Sequence, residues 1–323
     1  MKKYISFLLT LIITITSFSG CGSKSFDFSS GKISVVCTIF PEYDWAKQVI
    51  GESDSIDLQL LTKDGVDLHS YQPSVEDIAR ISTCDIFIYV GGESDDWVED
   101  VLKESLNPDI IAINLLEVLD DYAKEEQDVN DASSHNHSLH EDDDIEYDEH
   151  IWLSIRNAEL IVNEIKDKLI LADETNKSLY TENADNYIKE LSQLDEQYIS
   201  VTQNAKRDTV LFADRFPFRY LFDDYDISYY AAFNGCSAET EASFETITFL
   251  ADKVNTLNLD YVLLLEKSDD RIAKSIIQAS NNKSVGILTL DSMQSAIVSE
   301  SENQATYLSI MESNLKALET ALN

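Results

Sequence analysis

Basic residues are scarce in this 323-residue chain. Lysine and arginine together number 24, against 60 aspartates and glutamates, which gives a formal net charge of −36. Binding to nucleic acid depends on clusters of Lys and Arg that contact phosphate, so this composition excludes a nucleic-acid-binding function. The excess negative charge attracts cations weakly and without selectivity, and it does not by itself identify a binding site.

Cysteines are also few, and no two of them form a CxxC pair. This spacing excludes a compact zinc ribbon and a thioredoxin-like redox motif. Cys37 lies in the apolar run ISVVCTIF and Cys84 precedes DIFIYV, so both are predicted to be small buried hydrophobic residues. The chain lacks the P-loop pattern GxxxxGK, the dinucleotide pattern GxGxxG and the zincin pattern HExxH, and therefore no motif indicates a nucleotide site or a metalloprotease.

Histidine is absent from the second half of the chain. His69 stands alone in VDLHSYQPSVEDI. The other four lie in or beside the very acidic stretch DASSHNHSLHEDDDIEYDEH, at His135, His137, His140 and His150. Imidazole with nearby carboxylates is the ligand set that suits zinc and neighbouring divalent metals. Any ligand from the second half must be a carboxylate or, as an alternative, Cys236.

The N-terminal segment predicts export. Two lysines precede an apolar run that is too short for a membrane span and is typical of a secretory signal peptide over residues 1–20. The sequence FSGC, ending at Cys21, resembles a bacterial lipobox, in which the cysteine is lipidated; an ordinary cleavage site with an incidental cysteine is the alternative. Residues 21–31 are rich in Ser and Gly and are predicted to form a tether. We therefore expect a protein outside the cytoplasmic membrane, anchored to its outer face.

Strand and helix patterns alternate in both halves of the remaining chain, which is long enough for two lobes. KISVVCTIF, IDLQLLT and DIFIYV are strand candidates in the first half, and TVLFAD, ISYYAAF, YVLLLE and VGILTLD are strand candidates in the second half. Helical segments of roughly ten residues separate them. This alternation predicts an α/β fold with parallel sheets and helices on both faces.

A loop and a long helix interrupt the alternation. Residues 120–149 hold few apolar side chains and dense negative charge, which predicts a mobile loop. A helical stripe follows, formed by Tyr180, Ala184, Tyr187, Leu191, Leu194, Tyr198 and Val201. It indicates a core-facing helix of roughly 40 Å, and more specifically a rigid connection between lobes. The predicted boundaries are 32–174 for the N-terminal lobe, 175–205 for the linking helix and 206–323 for the C-terminal lobe.

The order of motifs resembles one family. A lipobox, the segment DLHSYQPSVEDIARISTCDIFIYVGGESDDW, an acidic His-rich loop, DEHIWLS, a long helix and SMQSAIVSESENQATYLSIMESNLKAL follow one another over nearly the whole mature chain. This order is similar to that of the metal-binding receptors of bacterial ABC importers, the cluster A-I solute-binding proteins. The resemblance implies two Rossmann-like lobes, a rigid linking helix, and a metal held in the cleft between the lobes.

The resemblance also implies a ligand set. His69, where Leu68 replaces the family's usual proline, matches the first ligand, and His150 matches the second. Asp291 in TLDSM matches the acidic ligand from the second lobe. At the remaining position the chain has Arg215, which has no lone pair for a metal.

We expect Asp214 to substitute for the ligand missing at Arg215, with Glu241 or Glu266 as further candidates. Alternatively, Arg215 pairs with a carboxylate, and water or the acidic loop completes the site. His135, His137 and His140 are expected to form an accessory zinc-capturing loop, the alternative being a merely solvated segment.

Zinc is the expected cargo because imidazole favours it, whereas manganese favours oxygen ligands. Two carboxylates would make the site more like the manganese branch of the family, so a Mn²⁺ or Fe²⁺ receptor is the alternative. The expected partners are a cognate ABC permease and its ATPase, with the receptor itself monomeric and not an enzyme. An exported zinc hydrolase and a metal-dependent adhesin are the alternatives of another class.

Overall fold

The computed structural model describes residues 31–62, 66–126, 147–235, 241–295 and 305–323. The signal peptide, nearly all of the tether and the lipidation site at Cys21 lie outside these residues. So do Cys236 and the three loop histidines His135, His137 and His140. None of the helices in the described part combines the length and the apolar character that crossing a bilayer requires.

The first half of the chain forms a parallel four-stranded sheet. Its strands are β1 (Ile33–Cys37), β2 (Ile56–Leu60), β3 (Ile86–Tyr89) and β4 (Ile111–Asn114), in the spatial order β2-β1-β3-β4. Residues Val35 to Cys37 pair with β2 on one side and with β3 on the other, which makes β1 an inner strand. These strands are rich in β-branched and apolar residues because both faces of a parallel sheet are covered by helices.

The second half repeats this architecture. Strands β5 (Thr209–Phe216), β6 (Ser228–Asn234), β7 (Tyr261–Leu265) and β8 (Gly286–Leu290) form a parallel sheet in the order β6-β5-β7-β8. The register between β5 and β6 shifts between Phe212 and Arg215. Two parallel sheets confirm the α/β prediction, and in both of them the order reverses beside an inner strand, where ligands commonly bind.

Ten α-helices surround the sheets in the described residues. They are α1 (Phe40–Ile50), α2 (Val75–Ile81), α3 (Trp97–Lys103), α4 (Leu115–Leu119), α5 (Ile155–Ala172), α6 (Lys177–Gln203), α7 (Arg219–Asp224), α8 (Phe244–Thr256), α9 (Arg271–Ala279) and α10 (Tyr307–Leu322). A capping box begins α2, since Ser74 Oγ accepts from Asp77 N and Asp77 Oδ2 accepts from Ser74 N.

The long helix α6 has 27 residues and spans about 40 Å. Six of the seven predicted stripe residues are buried, and Val201 is half-buried. One hydrophobic cluster contains buried residues of both sheets and of α5, α6 and α10, so the two lobes share a continuous core. Burial of this stripe, more than intrinsic helix propensity, is what stabilises a helix of this length.

The C-terminal helix α10 connects the second lobe to the first. Tyr307 N donates to Asp44 Oδ2 at 2.9 Å, and the Tyr307 hydroxyl donates to the carbonyl of Trp152 at 2.8 Å. The rings of Tyr307 and Trp45 meet edge to face at 5.1 Å. These contacts fix the segment that follows His150.

Candidate metal site

His69 is held by a short 3₁₀ turn, Leu68–Ser70, that follows the carboxyl end of β2. Asp67 caps this turn, because its Oδ1 accepts from His69 N at 3.1 Å. Leu68, which stands where the family has proline, is fully buried and anchors the turn in the core. The imidazole itself is 16% exposed.

His150 lies immediately before the 3₁₀ turn Ile151–Leu153 and is fully buried. Asp148 Oδ1 accepts from both His150 N, at 2.9 Å, and His150 Nδ1, at 2.8 Å. Burial raises the pKa of the Asp148 carboxyl, but the His150 ring and its hydrogen bonds outweigh burial, so the pKa lies below its ordinary value. A carboxylate only accepts, so Nδ1 of His150 carries a proton, and in the neutral ring that a metal ligand requires, Nε2 carries the lone pair.

His69 is oriented by two successive hydrogen bonds, which place its ring proton on Nδ1 as in His150. Ser94 donates its hydroxyl proton to Glu149 Oε2 and its backbone N–H to Glu149 Oε1. Since the Ser94 proton is committed to Glu149, its oxygen accepts from His69 Nδ1, which is 2.9 Å away. Nε2 of His69 is therefore also unprotonated. Both histidines have the second-shell support that metal-ligating imidazoles usually have.

The two free lone pairs converge. Nε2 of His69 lies 3.3 Å from Nε2 of His150. Two nitrogens that each lie 2.0–2.1 Å from a tetrahedral zinc ion are about 3.3 Å apart, so the separation fits zinc. Burial, together with the neighbouring His150 ring and the charge of Arg215, lowers the pKa of His69 to about 4. His69 is consequently neutral at pH 7, as a metal ligand must be.

The second lobe contributes Gln294, which follows β8 and is 3% exposed. Its Nε2 lies 2.8 Å from Nε2 of each histidine. Trp152 Nε1 donates to the carbonyl of Ser292 at 2.8 Å and so joins the segment after His150 to the segment that carries Gln294. The site therefore lies where the two lobes meet.

The predicted carboxylate ligands have other partners. Asp291 Oδ1 accepts from Met293 N, and burial raises the pKa of the Asp291 carboxyl. Asp214 accepts from Arg215 N and from Leu265 N, so it caps the ends of two neighbouring strands. In the described residues, no group of three or more His, Cys, Asp or Glu side chains is placed to hold an ion. The ligand roles of Asp291 and Asp214 remain predictions.

The two further carboxylate candidates lie apart from the imidazoles as well. Glu266 accepts from both Ser292 N and Ser292 Oγ at 2.8 Å, and burial followed by the charge of Asp291 raises its pKa to about 7. Glu241 is exposed. Glu266 is thus linked to the site by its hydrogen bonds with Ser292.

Arg215 occupies the cleft and pairs with a carboxylate, which was one of the alternatives raised by the sequence. Its guanidinium lies 3.3 Å from Asp67 Oδ2, while the other oxygen of Asp67 caps the His69 turn. This ion pair joins β5 of the second lobe to the turn that carries His69. Arg215 therefore supports a ligand-bearing turn and adds positive charge beside the site.

Sequence reasoning missed four residues of this site: Ser94, Asp148, Glu149 and Gln294. Asp148 and Glu149 are 7% and 3% exposed, so the structure shortens the predicted mobile loop at its end. Their proximity to His150 in DEH was a usable signal. The sequence around Ser94 and Gln294 gave no such signal, because only the fold brings these residues next to the imidazoles.

Two parallel α/β lobes with converging imidazoles at their junction are the architecture of the solute-binding class of proteins. The model of the family described as zinc-uptake complex component A, periplasmic (ZnuA), matches residues 35–321. The chain belongs to this family, and the resemblance predicted from the motifs is confirmed.

Curated relatives and solved structures agree with this assignment. The chain is 30% identical to the zinc-binding lipoprotein AdcA of Streptococcus pneumoniae strain R6 over 98% of its own length and 60% of that protein. It is 26% identical to the high-affinity zinc uptake system protein ZnuA of Bacillus subtilis, over 100% of this chain and 99% of that one. The chain thus spans about three fifths of the AdcA relatives.

The Zn(II)-bound ZnuA-like domain of S. pneumoniae AdcA superposes with a TM-score of 0.70 at 26% identity, over 90% of this chain and 99% of that domain. The laminin-binding adhesin Lmb of Streptococcus agalactiae shares the fold, with a TM-score of 0.71 at 24% identity, over 90% of this chain and 100% of that one.

Proposed function

We propose that this protein is an extracytoplasmic receptor that captures Zn²⁺ and delivers it to an ABC permease and its ATPase. His69 and His150 bind the ion through Nε2. Asp291 is the carboxylate proposed from the family pattern, and Asp214 is the proposed substitute for the ligand missing at Arg215. Support comes from the family assignment and from the printed names of the relatives, which are zinc-binding and zinc-uptake proteins.

One observation carries the proposal, namely the 3.3 Å separation between Nε2 of His69 and Nε2 of His150. Nδ1 of His150 donates to a carboxylate, and Nδ1 of His69 donates to Ser94, which donates to Glu149. When both rings are neutral, neither can donate to the other through Nε2, and the facing lone pairs accept a cation or a separate donor between them.

The two imidazoles favour zinc over manganese, whereas the proposed ligands Asp291 and Asp214 suit either metal. The imidazoles supply nitrogen, and the side chains of Asp148 and Glu149 support them from outside the ligand shell, Asp148 directly and Glu149 through Ser94. Manganese prefers direct oxygen ligands, whereas zinc binds imidazole readily. The second-shell carboxylates partly offset the charge of a dication that is shielded from water.

The proposed location is the outer face of the cytoplasmic membrane, through a lipid on Cys21. The word lipoprotein in the name of the S. pneumoniae relative supports this location. We propose a monomer that binds and releases its cargo without chemical turnover. The loop histidines His135, His137 and His140 are proposed to bind zinc weakly as an accessory site.

The experiment is a chelator-competition titration of metal-free residues 22–323 with Zn²⁺ and with Mn²⁺. Wild type is expected to bind one zinc ion tightly and manganese far more weakly. His69→Ala and His150→Ala should each remove the tight site. A variant with His135, His137 and His140 all changed to Ala should keep the tight site and lose only weaker zinc binding.

Other outcomes would select other functions. Tight manganese binding at the His69–His150 site would make the protein a manganese receptor. Hydrolytic turnover with zinc bound would favour an enzyme, and unfolding upon metal removal would favour a structural metal. A receptor is expected to keep its circular-dichroism spectrum when it is emptied, because its core is formed by apolar contacts.

A further inference from the structure

The side-chain amide of Gln294 lies against both imidazoles of the candidate site. Its Nε2 atom is 2.8 Å from Nε2 of His69 and 2.8 Å from Nε2 of His150. A carboxamide nitrogen carries two N–H donors, and each imidazole offers one lone pair, so all four groups are satisfied. In the absence of an ion, the amide therefore supplies the hydrogen-bond donors for the two lone pairs.

The other end of the same amide contacts Ser292. Gln294 Oε1 lies 3.1 Å from Ser292 Oγ, which also lies 2.8 Å from Glu266 Oε1. A serine hydroxyl has a single proton, so it donates to Gln294 or to Glu266 but not to both at once. Ser292 can consequently either donate to this amide or accept from it.

An ion between the imidazoles changes which atom of Gln294 must face them. An amide nitrogen has no lone pair available for a metal, whereas the carbonyl oxygen has two. Rotation of the amide by about 180° turns Oε1 toward the ion and lets Nε2 donate to Ser292, which donates in turn to Glu266. Gln294 and Ser292 are 3% and 0% exposed, and buried polar groups need a partner in both states.

We propose that Gln294 is a two-position gate of the metal site. In the empty receptor its amide nitrogen bridges the two imidazoles, and in the loaded receptor its carbonyl oxygen becomes a ligand from the second lobe. This proposal rests on the proposed function. It means that the incoming ion competes with an internal donor and that one ligand from the second lobe is uncharged.

Substitution of Gln294 tests the gate by zinc affinity. Gln294→Glu places a carboxylate opposite two lone pairs in the empty protein and opposite the dication in the loaded one, so zinc should bind about tenfold more tightly. Gln294→Leu offers neither donor nor ligand, so zinc should bind about tenfold more weakly. The matched control is Gln193→Glu, at an exposed position of α6, which adds the same charge away from the site.

A second measurement does not depend on zinc affinity. In the metal-free protein, ¹⁵N NMR should show one side-chain NH₂ that is protected from solvent exchange, that is absent in Gln294→Glu, and that shifts when zinc is added. A rapidly exchanging Gln294 amide in the empty protein would overturn the proposal, and so would zinc affinities of both Gln294 variants within about twofold of the control.

The two failures are distinguishable. If wild type binds no zinc through His69 and His150, the proposed function fails. If wild type binds zinc there but Gln294 has no effect on the affinity and no protected amide, only the gate fails.

Discussion

Replacing Asp148 by asparagine is expected to weaken zinc binding without unfolding the protein. Asp148 Oδ1 accepts from both the backbone N–H and the Nδ1–H of His150, at 2.9 and 2.8 Å. Asparagine has the same shape and keeps an acceptor oxygen, so the ring can stay in place. The negative charge that makes the imidazole a stronger ligand is lost.

The expected magnitude follows from the burial of this pair. Loss of a second-shell partner of a metal-ligating histidine typically costs about 10- to 100-fold in metal affinity, or about 1.4 to 2.7 kcal/mol. The Asp148 side chain is 10% exposed and the His150 ring is fully buried, so solvent screens their interaction little. We therefore expect a loss in the upper half of that range.

The assay is chelator competition with zinc on metal-free protein, with the thermal unfolding midpoint measured on the same samples. Asp57→Asn is the matched control, because Asp57 is exposed on β2 and its substitution removes the same charge from the protein as a whole. If Asp148→Asn and Asp57→Asn bind zinc within about twofold of each other, the carboxylate does not support the ligand and the reasoning is refuted.

Three further predictions concern the surroundings of the site. Burial raises the pKa of Asp95 from 3.8 to about 7. Between these two pH values the folded protein holds a proton that the unfolded chain has released. The free energy of unfolding should therefore fall by at most about 4 kcal/mol as pH rises from about 4 to about 7. Asp95→Asn should remove this dependence in denaturant unfolding at pH 5 and pH 8. In Gly235→Ala, the new Cβ would lie 2.9 Å from the Phe216 carbonyl and 3.1 Å from His150 Cε1, so the displaced ring should bind zinc about tenfold more weakly in competition titrations. Arg215→Met removes a positive charge beside the site, while Asp67 Oδ1 still caps the His69 turn, so zinc binding should tighten roughly threefold at low salt, an effect that should shrink as salt is added.

Elements with strong local patterns were predictable from the sequence. The β-branched run of β1 and the 4-3-4-3 stripe of α6 fix which face is apolar, and burial of that face follows from the hydrophobic effect. The Ser74–Asp77 cap was equally predictable, because both partners lie within one helical turn. Cys37 and Cys84 are buried, as their apolar neighbours indicated.

The ligand geometry was only half predictable. His69 and His150 were identified by their motifs, and the structure brings them together. Asp291 was the expected acidic ligand, yet Gln294, three residues farther along, faces the imidazoles. Which side chain after β8 points into the junction depends on the turn that follows the strand and on the Trp152–Ser292 contact between lobes. Neither is encoded in a local pattern.

The sequence by itself determined the alternation of strands and helices, the choice of His69 and His150 as candidate ligands and the acidic composition, and it predicted export, because these features depend on neighbouring residues and composition. Only the tertiary structure decided that Ser94 orients the His69 imidazole, that Arg215 pairs with Asp67, and that Gln294 bridges the two rings. The physical reason is distance along the chain: hydrogen bonds between residues 25 to 225 positions apart exist only after both lobes have packed around one continuous core.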